Sequence, residues 1–447
     1  MLALCYRENR AKLAAVREGY GHARLLTMPA MTNLPCCNRL LLLAPLLLAA
    51  ACHRHASVEP VPQQAPAGPQ QKLAAVGAPA ASKAKPLDSI AGDARPQPKP
   101  PAPPCLDGND PSLPDLLDQA GRAYEQGRYE DALECAREAT RIDGMSVAAH
   151  HFRGAALTEL GKVEEARTAY ARALALDPDD PEVLRSVADL HVRRLGARDD
   201  LELALQYVHR AFSRAQRAKD KPLLKDLYLL QAMAFDDLGR PGDALASANR
   251  ALENDASDRE SRREKGVALF ELCRFDAAKV ELGKLANEEP DAWAEHYLGL
   301  IAERSQDEMA AEAHFSRAAM LDPDAFKATA SAPVSLFQRV VQDELAKLPP
   351  NIKAGLARAN FEVTDLPQVS DLVATDPPLS PGILGLFRPP AEAAPADAKA
   401  TIVLYRRNLA RAAHNDEELH REVRDTLMHE VGHLNGEDDE QLRDRGL

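Results

Sequence analysis

Small and apolar residues recur at fixed offsets through the middle of the chain. In the clearest copy these positions are Gly154, Leu157, Gly161, Ala166, Tyr170, Ala173 and Pro178. The same offsets recur in the segments Ala120–Ala139, Ala232–Ala251, Gly266–Pro290 and Gly299–Pro323. Small residues at facing positions let two helices approach closely, and a following Asp-Pro pair ends the second helix. The pattern predicts about six helix pairs over residues 113–326, with a degenerate copy at 181–214 that carries about four extra residues.

Beyond this region the pattern predicts helices and strands together. A helix is expected over Val334–Leu348, and strands over Asn360–Leu366, Gly382–Phe387 and Thr401–Leu409. A further helix begins near Asn415, and its apolar residues Leu419, Val423 and Leu427 are four positions apart, so one face can pack on the sheet. We therefore expect a mostly α fold, an α-solenoid followed by a small α+β domain over residues 333–447.

Near the N-terminus the only long apolar run is Leu40–Ala51, which is too short to span a membrane and has the length of a signal-peptide core. The run ends at Cys52, and the residues before it resemble the lipobox of bacterial lipoproteins, which implies that residues 1–52 are a signal region and Cys52 is lipidated. The alternative is an ordinary signal peptide with Cys52 incidental. We expect translation to start at Met28 or Met31, which leaves residues 1–27 untranslated. His53 after the cysteine favours the outer membrane over retention at the inner membrane.

Residues 53–112 are expected to form a disordered tether. Twelve prolines fall between Pro60 and Pro104, mixed with Ala, Gln and Lys and with no aromatic residue. Such a segment buries too little apolar surface to offset the entropy of ordering, and its prolines keep it extended. Docking of the prolines on an aromatic groove is the alternative to this spacer function.

Composition sharpens the expected class of protein. The 447 residues carry a net charge of −13, divided into +7 over residues 1–105 and −20 over the rest, so we expect no nucleic-acid partner. Aromatic residues are only 4% of the chain, which suits stacked helices better than a β-sandwich. The seven widely spaced cysteines indicate neither a disulfide framework nor a cysteine zinc site. We expect the adjacent His150 and His151 to lie in a solvated turn rather than in a metal site.

The most informative stretch is a histidine motif near the C-terminus. In His-Glu-x-x-His, His429 and His433 lie one helical turn apart, so both imidazoles can reach one zinc ion. Glu430 is placed to act on a water molecule at the metal. Gly436 can end the helix and reverse the chain, bringing Asp439 back as a third, oxygen ligand. The alternative is a charged surface helix with two solvent-facing histidines.

Two resemblances follow from these residues. The helix pairs resemble the tetratricopeptide repeat, which implies a superhelix with a concave groove that binds a protein segment. Residues 333–447 resemble the minimal zincin-like metallopeptidases through Leu348-Pro349, Leu384–Phe387, Ile402–Arg406 and His429–Asp439. That resemblance implies that His429, His433 and Asp439 bind Zn²⁺ and that Glu430 is the general base.

Two functions remain open at this point. The first is an envelope lipoprotein peptidase whose array docks protein substrates or partners for the zinc domain. The second is a non-catalytic scaffold in which the zinc domain is structural or vestigial, and a third, weaker option has the array gate the active site. In the peptidase hypothesis, the segment Gly382–Phe387 pairs with a substrate backbone as an edge strand. Tyr405 or Arg406 then either stabilises an oxyanion or only packs the strand.

Overall fold

The computed structural model describes residues 111–330, 332–390, 395 and 398–444. Within this range, the chain from Leu113 to Leu321 forms six antiparallel helix pairs stacked in sequence order, which we call the array. Its helices are α1 Leu113–Glu125, α2 Tyr129–Ile142, α3 Val147–Glu159, α4 Val163–Leu176, α5 Pro181–Leu190, α6 Arg198–Ala218, α7 Lys221–Asp237, α8 Pro241–Asn254, α9 Arg259–Glu271, α10 Phe275–Glu288, α11 Ala292–Arg304 and α12 Glu308–Leu321. The predicted α-solenoid is confirmed.

Close approach explains why small residues recur in the array. A Cβ atom added at Gly154 would lie 2.6 Å from the ring of Tyr170 on the partner helix. The same added atom at Gly299 would lie 2.6 Å from the ring of Phe315. Because real Cβ contacts are longer than this, either substitution would push the two helices of a pair apart. The glycines therefore set the spacing within the pairs.

The third pair is longer than the others, in agreement with its degenerate sequence. Helix α5 continues into a π-helical turn, His191–Leu195, which ends at Gly196 with a φ of +67°. Helix α6 then runs for 21 residues, against 14 for α4. Nδ1 of His191 lies 2.8 Å from a carboxylate oxygen of Asp200, which ties the irregular turn to the following helix.

The structure differs from expectation at two places in the array. His150 and His151 lie within α3 and are buried rather than solvated. Nε2 of His151 contacts Oγ of Ser186 at 2.8 Å, and burial lowers the pKa of His151 to about 3. The expected turn is wrong because the first helix of this pair begins earlier, at Val147. Cys135 on α2 is disulfide-bonded, which the wide cysteine spacing did not indicate.

The C-terminal domain, residues 334–444, is built around a three-stranded sheet. Its elements are α13 Val334–Lys347, α14 Pro350–Leu356, β1 Asn360–Thr364, α15 Val369–Leu372, β2 Gly385–Arg388, β3 Thr401–Tyr405, α16 Arg406–Ala412, α17 Asp416–Leu434 and α18 Asp439–Asp444. The strand order is β1-β3-β2, with β1 parallel and β2 antiparallel to β3. The third expected strand was too long, because the chain turns into α16 directly after Tyr405.

Different elements pack on the two faces of the sheet. On one face Ile402 and Leu404 pack with α13 and α17 in the main core of the domain. On the other face Val403 and Tyr405 pack against Leu372 and Ile383 from the segment between β1 and β2. Cys273, in the turn between α9 and α10 of the array, also packs there, and its thiol lies 3.9 Å from the carbonyl oxygen of Leu379. The array thus contributes to the cover of the second face.

A polar network joins the last repeat to the C-terminal domain. Glu303, buried at the end of α11, accepts hydrogen bonds from the guanidinium groups of Arg407 and Arg411 on α16. Arg407 also donates to Glu308 of the array and to Asp365 after β1. The two parts are therefore docked through charged groups.

The segment between α12 and α13 caps the end of the array. The ring of Phe326 lies 5.0 Å from Trp293 and 4.8 Å from His296, both on α11. Further along, the backbone N–H of Ala330 donates to the carbonyl of Ala413 at 2.7 Å. A terminal repeat needs such a cover because its outer face has no following repeat.

Several sequence predictions lie outside the described residues. They are the signal region 1–52, the lipidation site Cys52 and the tether 53–112 apart from its last two residues. Among the helices of the described part, none has the length and apolar character needed to cross a membrane.

Candidate metal centre

The helix that carries the histidine motif, α17, is held in place by its N-terminal cap and by its apolar side. At its start, the side chain of Asn415 accepts a hydrogen bond from the backbone N–H of Glu418 at 2.9 Å. Leu419, Val423 and Leu427 are fully buried in the core against the sheet. A helix fixed in this way can present the motif residues at one defined place.

The two motif histidines face each other on α17. The Nε2 atoms of His429 and His433 lie 3.1 Å apart, and their ring centroids 4.7 Å apart. Nδ1 of His433 lies 3.0 Å from the carbonyl oxygen of Glu437. Because a carbonyl only accepts, Nδ1 carries the proton there and Nε2 keeps its lone pair for a metal.

The turn after α17 returns the chain toward the histidines. Gly436 has a φ of +88°, a backbone conformation that residues with a side chain rarely adopt. The backbone N–H of Glu437 then donates to the carbonyl of Gly432 at 3.1 Å, which folds the chain back along the helix. Asp439 follows at the start of α18 and reaches the two imidazoles.

Asp439 completes a group of three donors that could hold a metal ion. Its Oδ1 lies 3.5 Å from Nε2 of His429 and 3.3 Å from Nε2 of His433. Tetrahedral ligands bound at about 2.0–2.1 Å are about 3.3 Å from one another, so these separations match a zinc site. Oδ1 is also buried and accepts no hydrogen bond, which is costly unless a cation is bound. The residues present therefore fit the metal that the motif implies.

Glu430 lies beside this group and is almost fully buried. Burial raises the pKa of Glu430 to about 8. A hydrogen bond from the backbone N–H of Phe387 on β2 acts in the opposite direction and lowers the pKa. The negative charge of Asp439 raises it further. Oε2 of Glu430 has no hydrogen-bond partner, so one carboxylate oxygen is available to take a proton.

Strand β2 contributes a contact that the motif does not reveal. A Cβ atom at Gly385 would lie 2.9 Å from Oε1 of Glu430 and 2.7 Å from Cγ2 of Thr426. Only glycine lets this strand lie so close to α17. In the sequence, the glycine within Leu384–Phe387 indicates a close approach of the backbone to another element. The residue that it approaches on α17 could not be deduced without the fold.

The two candidate oxyanion residues, Tyr405 and Arg406, make contacts of other kinds. Arg406 donates to Asp365 at 2.7 Å and to the carbonyl oxygen of Ala332 at 2.6 Å, so its guanidinium group anchors the chain between domains. Tyr405 points into the second face of the sheet, where its hydroxyl is buried without a hydrogen-bond partner and burial raises its pKa. The contacts favour the packing alternative for Tyr405, whereas Arg406 begins α16 and holds neighbouring segments together through its guanidinium group.

Comparisons with known proteins agree with the two-part architecture. A family model for zincin-like metallopeptidases matches residues 356–447, and a tetratricopeptide-repeat model matches residues 117–181 and 229–292. No curated protein matches the chain significantly.

Solved structures are similar to the repeat region only at low identity. PilF of Pseudomonas aeruginosa is 16% identical, with 48% of this chain and 95% of PilF covered and a TM-score of 0.41. PilW, described as a widely conserved type IV pilus biogenesis factor, is also 16% identical, with 49% and 98% covered and a TM-score of 0.43. Similarity at this level says nothing about the partners of this chain. The chain thus carries tetratricopeptide repeats, a class of protein-interaction array, and a C-terminal zincin-like metallopeptidase domain.

Proposed function

We propose that the protein is an envelope-anchored zinc metallopeptidase that hydrolyses peptide bonds. The observation that carries this proposal is the convergence of His429, His433 and Asp439 beside the buried carboxylate of Glu430. Three protein ligands leave a fourth position open, which is typical of a catalytic rather than a structural zinc site. A base next to the open position completes the set needed for hydrolysis.

The chain's own groups divide the work of the reaction. The two histidine Nε2 atoms and a carboxylate oxygen of Asp439 would hold the metal. Bound zinc supplies a Lewis acid that polarises the scissile carbonyl and makes a water molecule easier to deprotonate. Glu430 takes the proton of the attacking water and passes it to the nitrogen of the leaving amine. Its Oε2 atom has no hydrogen-bond partner and is therefore available to carry the proton between the two steps.

The substrate would lie along β2. This strand pairs with β3 on one side and is at the edge of the sheet within the described part of the domain. An extended peptide can add to such an edge through backbone hydrogen bonds. Since the N–H of Phe387 holds the carboxylate of Glu430, a peptide on β2 would lie next to the base.

The array would bring a protein substrate or partner to this domain through its concave groove. The network around Glu303 docks the array onto the domain, so a protein held by the array stays close to the peptidase. This proposal concerns binding, and the array contributes no group to the chemistry.

The proposed envelope location rests on the leader and on two cysteines. We propose that Cys52 carries a lipid that anchors the chain to the outer membrane, with residues 53–112 as the tether. The disulfide at Cys135 supports export, because disulfides persist in oxidising compartments. A Cys52→Ser variant should fail to incorporate labelled fatty acid, while the parent incorporates it.

Metal analysis and a peptide-library digest test the enzymatic proposal. The purified full chain should contain about one zinc per chain, and His429→Ala or His433→Ala should lose it. The zinc-loaded chain should cleave members of the library. A chain that binds zinc and cleaves no library peptide would instead support the scaffold function, in which the array alone carries the biological activity.

A further inference from the structure

The C-terminal helix α18 is seated in a notch on the motif helix. The notch is at Gly432, which lies between Val431 and His433 within the His-Glu-x-x-His motif. A Cβ atom at Gly432 would overlap Cδ2 of Leu442 and would lie 3.2 Å from its Cδ1. It would also lie 2.9 Å from Oε2 of Glu437, which is the far end of a flexible side chain and can move aside. Leu442 is fully buried there, so its side chain cannot simply rotate into solvent. Glycine at this position is what allows α18 to lie against α17.

The start of α18 is fixed by a reciprocal cap. The backbone N–H of Gln441 donates to Oδ1 of Asp438 at 2.9 Å, and the backbone N–H of Asp438 donates to Oε1 of Gln441 at 2.9 Å. This arrangement places Asp439 in the first turn of the helix, three residues before Leu442. Residues three apart lie on the same side of a helix, so Asp439 and Leu442 both face α17.

We propose that Leu442 is a positioning residue that sets the zinc affinity of the site through Asp439. The inference rests on the proposed zinc site and deepens it. Asp439 is held by the backbone of a short helix, and the Leu442–Gly432 contact is the apolar anchor of that helix. If the anchor is lost, Asp439 no longer stays within 3.3–3.5 Å of the imidazoles. The two histidines remain on α17, so the site should weaken rather than disappear.

A double-mutant cycle on the full chain tests this inference with zinc affinity as the readout. The zinc dissociation constant is measured by competition with a chromophoric chelator for the parent, Gly432→Ala, Asp439→Ala and the double variant. Gly432→Ala should weaken binding by about 10- to 100-fold, as is usual for groups that orient a metal ligand. In the Asp439→Ala background the same substitution should change affinity by less than about twofold, because the residue through which it acts is absent.

Two further variants separate positioning from folding. Leu442→Val shortens the anchor without adding bulk and should weaken zinc binding less than Gly432→Ala does. Gly283→Ala, where an added Cβ meets nothing within 4 Å, should leave affinity unchanged. Thermal unfolding of the zinc-free proteins checks that all variants fold. Equal losses from Gly432→Ala with and without Asp439 would overturn the inference and leave the peptidase intact, whereas a parent that binds no zinc would overturn both.

Discussion

Glu303 of the array and Arg407 of the C-terminal domain are joined across the domain boundary by a hydrogen bond of 3.0 Å. The carboxylate of Glu303 is 8% exposed and also binds Arg411 through its other oxygen. Removal of a buried carboxylate that lies between two guanidinium groups lowers the stability of the folded chain, because both cations lose their shared partner. Glu303 therefore contributes to the docking of the two parts.

Replacing Glu303 by Ala should destabilise the docked arrangement. Arg407 retains Asp365 and Glu308, so we expect a loss of about 1–3 kcal/mol rather than the full cost of breaking a buried pair. Urea unfolding should show the loss, and limited proteolysis should cut more quickly between residues 322 and 333. The matched control is Glu308→Ala, whose side chain is 61% exposed and whose removal should cost little. Identical unfolding curves for the parent and Glu303→Ala would show that the network does not hold the domains together.

His151 should make the array less stable in mild acid. Burial lowers its pKa to about 3, so the folded chain keeps it neutral while the unfolded chain protonates it below about pH 6.5. Stability from this residue is present above pH 6.5 and is lost as the pH falls toward 3, by at most about 1.4 kcal/mol per pH unit.

The variant His151→Gln isolates this effect. Glutamine can still bond to Ser186 but does not titrate in this range. Between pH 7 and pH 5 the free energy of unfolding of the parent should fall by about 2 kcal/mol more than that of the variant. Parallel pH dependence of the two proteins would contradict a neutral, buried His151.

Gly385→Ala should impair cleavage while zinc remains bound. The added methyl group meets Oε1 of Glu430 and Cγ2 of Thr426, so β2 or the carboxylate must shift. Because the three metal donors lie on α17 and α18, zinc content should stay at the parental level. We expect at least a tenfold loss of kcat, which is part of the roughly 10²- to 10⁴-fold contribution of a well-placed base. Gly242→Ala, where an added Cβ meets nothing within 4 Å, is the control and should cleave normally. Parental cleavage by Gly385→Ala would show that the close approach of β2 has no part in catalysis.

The local features of the fold were predictable because they depend on spacing along the chain. Gly154 and Tyr170 are 16 residues apart, and small or apolar residues occupy the equivalent two positions in the other clear copies, so the repeat indicates that these positions meet. His429 and His433 are one helical turn apart, so their juxtaposition follows from helix geometry alone. The return of Asp439 needed only a turn, and Gly436 indicated it.

The remaining features depend on tertiary contacts that no local pattern encodes. The Glu303–Arg407 pair joins residues 104 apart, and each residue alone reads as a surface charge. The same holds for the contact between Gly385 and Glu430, which depends on how β2 is positioned against α17. The sequence predicts that His150 and His151 are solvated, because adjacent residues on a helix point about 100° apart and do not converge on a metal. Packing between neighbouring repeats instead buries His151.

The most direct measurement compares the cleavage rate of the zinc-loaded parent with that of Glu430→Gln at matched zinc content. Glutamine keeps the size of the side chain and removes the base, so the metal donors are untouched. We expect both proteins to contain about one zinc per chain and the variant to cleave a library-derived peptide at least 100-fold more slowly. A variant that cleaves as fast as the parent would contradict the assignment of this domain as a peptidase that uses Glu430.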